Sequence, residues 1–195
     1  PTVTPTYKTV QDLLKDEKFS IDDYQREYKW GKEQIDELIN DLTSKFFADY
    51  KPEHETKDVS RYDNYFLGSI IVSRRGGMNF LIDGQQRTTS LTLLLIYLYH
   101  RLKALNSNAK SKLESLIFSD DYGTCSFNLK IQEREPVLKA LYEGRSFNTE
   151  HQEESLVNMV ARYNDIAAEL DADPAEPDPM DAAIEHFTYW LMGRV

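Results

Sequence analysis

A chain of 195 residues, 41% apolar and 29% charged, has the composition of a soluble globular protein with room for one generous domain. The formal net charge of −10 argues against a surface that grips nucleic-acid backbone over most of its area, though a local basic groove is not excluded. The longest apolar stretch, residues 91–99, is too short to span a bilayer, and no secretory signal is present. The single cysteine, Cys125, can form no internal disulfide, so a reducing cytoplasm is the expected home and Cys125 reads as a small core residue. The first residue is proline and the last helix stops abruptly, so the chain reads as a fragment.

In chain order, residues 9–16 (TVQDLLKD) predict a short helix and Phe19, Ser20 and Ile21 a brief extended piece. From Lys32 the apolar positions Ile35, Leu38, Ile39, Leu42 and Phe46 fall on one helical stripe. Residues 50–64 carry no periodicity and many charges, which predicts a flexible loop with His54 solvated in it. The runs YFLGSIIVS and MNFLID flank Arg74, Arg75, Gly76 and Gly77, a hairpin signal because the paired glycines supply positive φ. After Asp83 and Gly84 a long helix runs to about Leu105, apolar on nearly all sides at first and so central.

Beyond it, helices are expected over residues 109–118, 133–142 and 153–170, with a strand over 125–131. An acidic, proline-rich break (DADPAEPDP) precedes a last helix that carries Ile184, Phe187, Trp190 and Leu191 on one side. The expected architecture is α+β: a small mixed sheet with helices over residues 1–105, then a helical region over 106–195.

Two polar clusters interrupt this pattern. In FLIDGQQRTTSL, a buried strand meets a buried helix through Asp83, Gly84, Gln85, Gln86, Arg87, Thr88 and Thr89. One reading is structural: Asp83 and Gln86, three apart, fit a capping box. The other is functional. A helix N-terminus presents unpaired N–H donors and partial positive charge, which suits a phosphate, and Arg87 adds a guanidinium that can hold two phosphate oxygens. The hydroxyls of Thr88 and Thr89 could bond phosphate, and Asp83 could hold magnesium. The spacing is not that of a Walker A loop, which needs a lysine absent here. The second cluster, DDYQREYKW, sets Gln25 and Arg26 beside Tyr24, Tyr28 and Trp30. Tyr28 and Trp30 read as core, whereas Gln25 and Arg26 read as functional.

Together YQREYKW, FLGSIIV and FLIDGQQRTTSLTLLL resemble the N-terminal domain of GmrSD-type type IV restriction enzymes and related phage-defence proteins. The DGQQR signature stands intact at residues 83–87, and the QR-x-Y-x-W element from Gln25 to Trp30. The resemblance is strong over residues 9–100 and thin afterwards. It implies a fold similar to ParB and sulfiredoxin, in which a strand–turn–helix junction binds nucleotide phosphates. It also implies nucleoside triphosphate hydrolysis that regulates cleavage of DNA, in particular modified DNA, by a separate C-terminal HNH-type nuclease domain. No HNH pattern occurs here, since His100, His151 and His186 are isolated.

Carried over by residue, Gly84, Gln85, Gln86, Arg87, Thr88 and Thr89 form the nucleotide site with Gln25 and Arg26 facing it. Asp83, Gln86 and Arg87 are the catalytic candidates, and Asp83 the Mg2+ ligand. A nucleotide-switched clamp without fast turnover is the alternative, and a nuclease activity of this fold itself is a third. Homo-oligomer formation is left open.

Overall fold

The computed structural model describes residues 2–171, 175 and 178–195. The acidic break around residues 171–179 lies mostly outside these described residues. The rest is α+β, as the sequence predicts. Helix α1 (Val10–Leu14) starts at Thr9, whose hydroxyl accepts from the Asp12 amide at 3.2 Å. Strand β1 (Phe19–Ile21) follows, then α2 (Lys32–Asp49), which buries the predicted stripe of Ile35, Leu38, Ile39, Leu42 and Phe46. Strands β2 (Ile71–Arg75) and β3 (Met78–Asp83) form the expected hairpin, with Gly76 and Gly77 both at positive φ in its two-residue loop.

Helix α3 (Gln85–Ala104) is the central one, with Leu91, Leu93, Leu94, Leu95, Ile96 and Leu98 all buried. It packs against α4 (Ala109–Ile117), α6 (Glu154–Leu170) and α7 (Pro179–Arg194). Between α4 and α6 lie a hairpin of β4 (Phe118–Asp121) and β5 (Thr124–Phe127), and α5 (Glu135–Tyr142). One continuous apolar core takes in residues from Val10 to Val195.

The sheet has the order β1–β3–β2. β1 runs parallel to β3, with Phe19 opposite Asn79 and Ile21 opposite Leu81, whereas β2 is antiparallel to β3. The free edge of β1 is covered by chain that leaves β5. The Phe19 amide donates to the Asn128 carbonyl and the Lys130 amide to the Phe19 carbonyl, both at 2.7 Å. That docking carries residues 131–134 to the carboxyl end of β1, which matters for the site.

Three expectations are corrected. The stretch 50–64 is not an unstructured loop: Thr56–Arg61 forms a 3-10 turn that buries Val59 and Tyr62 against α7. His54 is tied there too, with Nδ1 2.7 Å from the Tyr62 hydroxyl. Two apolar residues three apart are too few to register as a periodicity. Cys125 is exposed rather than in the core, because it lies opposite Asp120 in the β4–β5 hairpin at the surface. The predicted strand over 125–131 ends at Phe127, and its partner is β4 at the end of α4. No helix among the described residues is long and apolar enough to cross a membrane.

Candidate functional site

Because β1 and β3 are parallel, their carboxyl ends open on the same side. This is where ligands collect in sheets with parallel strands. The segment after β1 (residues 22–26) therefore meets the segment after β3 (residues 83–87). The contact is direct: the Gln85 Nε2 donates to Gln25 Oε1 at 3.1 Å.

The turn from β3 into α3 is made at Gly84, in the left-handed region with φ 88° and ψ 17°. A side chain there would be strained, and its Cβ would lie 2.9 Å from Ile70 Cγ1. The first bond of the helix is from the Thr88 amide to the Gly84 carbonyl at 2.9 Å. The amides of Gln85, Gln86 and Arg87 have no hydrogen-bond partner among the described residues. They remain as donors at the positive end of a 20-residue helix.

The expected capping box does not form. Gly84 occupies the N-cap position in place of Asp83, whose Oδ1 accepts from the Gly84 amide at 2.9 Å. Gln86 turns away from the helix end altogether. Its Oε1 accepts from the Lys29 amide and its Nε2 donates to the Glu27 carbonyl, each at 2.7 Å. The two bonds clamp the YQREYKW segment onto α3. Gln85 also donates to the Ile82 carbonyl at 2.7 Å.

Arg87 lies beside the helix end, with Nη1 donating to the Ser69 carbonyl at 3.0 Å. Its guanidinium fits against Gly68, at φ 136°, where any Cβ would collide with it. Thr88 and Thr89 are buried, and their hydroxyls donate to the carbonyls of Gly84 and Gln85 at 2.8 and 2.9 Å. Those hydroxyls face along the helix wall rather than its open end. Arg26 anchors through Nε to the Ile21 carbonyl at 2.7 Å and pairs through Nη1 with Glu133 at 2.7 Å. Hydrogen bonding to its own amide, with Arg26 beside it, holds the Glu133 carboxyl below the usual carboxylate range.

The core reading of the aromatics holds for Tyr28, which is 1% exposed and bonded to the Ser90 hydroxyl at 2.7 Å. Burial pushes its phenol up to about 12. Trp30 packs against the core at half-burial.

One residue that sequence reasoning missed stands beside the first turn of α3. Arg134, from the 3-10 turn Gln132–Arg134, is 2% exposed and donates through Nη1 to Thr89 Oγ1 at 2.9 Å. Nothing in the local sequence marks it. Its place follows from the docking of residues 128–130 on β1. On the far side of Arg26 a cavity of about 390 Å3 is lined by Met78, Phe127, Leu129, Ile131 and Gln132 among others.

For a metal, Asp83 is exposed and one of its oxygens already accepts from an amide. Among the described residues no three His, Cys, Asp or Glu side chains cluster to hold an ion. Asp83 therefore fits Mg2+ only as one ligand beside nucleotide phosphates, which is how Mg2+ is commonly held.

These features define an α+β domain whose site is a strand–glycine–helix corner at the carboxyl ends of two parallel strands. The chain belongs to the family of the GmrSD restriction endonuclease N-terminal domain, whose model matches residues 10–189 and so takes in both polar clusters. A comparison with curated proteins returned no match. Membership of the family supports a role in restriction and defence, and implies association with DNA and a C-terminal nuclease domain.

Proposed function

We propose that this domain binds and hydrolyses a nucleoside triphosphate with Mg2+, and so regulates an HNH-type nuclease domain that cleaves modified DNA. The observation that carries the reading is the corner itself. Three unpartnered amides at the start of α3 stand where Gly84 leaves the approach free of a side chain. Arg87 and Arg26 flank this end, and Asp83 is exposed beside it. Amides and guanidinium groups aimed at phosphoryl oxygens stabilise the charge that grows there during transfer. Magnesium, when bound, would neutralise phosphate charge, with Asp83 as its protein ligand. Gln86, as placed, orients the 27–29 backbone rather than a water molecule. Asp83 and Arg87 are thus the residues left to act on the ligand.

A second reading, a nucleotide-switched clamp without fast turnover, is favoured by one observation. Gln85 and Gln86 are both engaged in holding the segment after β1, so a ligand at the helix end would be felt directly by that segment. Multiple-turnover phosphate release decides between the two. Release that Asp83→Ala abolishes supports hydrolysis. Saturable binding without release makes the domain a switch.

A further inference from the structure

Arg134 is a charge that the fold leaves uncompensated. It is 2% exposed, yet no carboxylate lies within ion-pairing distance among the described residues. Its neighbour Glu133 is paired with Arg26 instead. The single hydrogen bond of the guanidinium goes to a neutral hydroxyl, Thr89 Oγ1. The fully buried side-chain atoms without a partner among the described residues are Asp36 Oδ1 and His186 Nδ1. The free nitrogens of Arg134 are therefore not wholly closed off from solvent. Burial lowers this guanidinium to about 10, which measures how poorly its surroundings support the charge.

A buried cation without a counter-ion is costly, and buried charges are ordinarily paired or bound to something. The missing partner has an obvious place. Thr89 sits one turn into α3, directly behind the unpartnered amides of Gln85, Gln86 and Arg87. An anion at that helix end would lie within the field of the guanidinium, across a medium that screens far less than water.

We propose that Arg134 is a positioning residue of the anion site: a buried cation, delivered from the second half of the chain, whose counter-charge is the polyphosphate held at the start of α3. This rests on the nucleotide reading above. Glu133 acts in the opposite sense, since its carboxylate occupies Arg26 and opposes the positive field. The site thus depends on both the segment after β3 and the one that docks on β1.

The test is titration of the whole domain with inorganic tripolyphosphate and with each of the four ribonucleoside triphosphates plus Mg2+. Wild type is compared with Arg134→Met, Arg134→Lys and Glu133→Gln. The expected result is affinity about tenfold weaker in Arg134→Met and within about threefold of wild type in Arg134→Lys, as fits loss and retention of one charge. The unliganded melting temperature of Arg134→Met should not fall, because an unpaired buried charge is removed. A merely structural arginine would give the reverse: a lower melting temperature and unchanged affinity, which overturns the proposal. Should Arg134→Met not fold, Glu133→Gln decides. Tighter binding, about two- to fivefold, supports the proposal and unchanged or weaker binding overturns it. A wild type that binds none of the probes refutes the nucleotide site itself. Binding that wild type and Arg134→Met share refutes only the role of Arg134.

Discussion

The first turn of α3 and the body of the same helix are both largely buried, yet for opposite reasons. From Leu91 to Leu98 the helix is sealed by apolar contact on all sides. From Gln85 to Ser90 it is held by polar side chains, most of which bond other parts of the fold. Thr88, Thr89 and Ser90 return to their own helix, and Gln85 and Gln86 fasten the segment that follows β1. Only the backbone amides, Asp83 and part of Arg87 are left over. The contrast teaches that polar side chains at a buried junction are mostly scaffold, and that the ligand-facing chemistry is what remains after they are satisfied.

The largest effect separates the two parts of the helix. Leu94→Ala should destabilise the fold by about 2–5 kcal/mol in urea unfolding, as for other fully buried leucines. Its ligand affinity per folded molecule should stay as in wild type. Gly84→Ala comes next, at about 1–3 kcal/mol, since alanine must take a left-handed φ and crowd Ile70. Here affinity should fall as well, because the added methyl stands at the mouth of the amides. A variant that kept full affinity would put the ligand elsewhere.

Gln86→Ala removes two backbone bonds and should cost about 1–2 kcal/mol. Amide exchange should quicken over residues 27–30 and not in the body of α3, and uniform quickening would erase the distinction. The smallest effect belongs to the Arg26–Glu133 pair, whose side chains are 28% and 48% exposed. Its worth is under about 1 kcal/mol after solvent screening. The Glu133 carboxyl has a lowered folded pKa, so this contribution is present above the ordinary carboxylate value and is lost as pH falls through the folded one. The stability gap between wild type and Glu133→Gln should therefore close on acidification below about pH 4, and a widening gap would contradict the pairing.

Much of the fold was legible because its signals are local. The stripe of α2, the Gly76-Gly77 hairpin and the apolar run of α3 each declare themselves within twenty residues. The 3-10 turn around Val59 and the exposed face of Cys125 did not, since each depends on what packs there from elsewhere. The corner was legible as a place and not as a set of roles. That Gly84, Arg87 and Asp83 converge follows from strand–turn–helix logic. That Gln86 clamps Glu27 and Lys29, and that Thr88 and Thr89 turn inward, depends on which neighbours the parallel pairing of β1 and β3 brings in. Arg134 lay beyond reach for the same reason, because its approach to Thr89 spans 45 positions of sequence.

The most direct measurement is the thermal shift of wild type and Arg87→Ala with each of the four ribonucleoside triphosphates and Mg2+. At a hundredfold excess over Kd a bound nucleotide should stabilise wild type by about 2.7 kcal/mol and Arg87→Ala by clearly less. No shift with any nucleotide, or equal shifts in both proteins, would contradict a phosphate site at the start of α3.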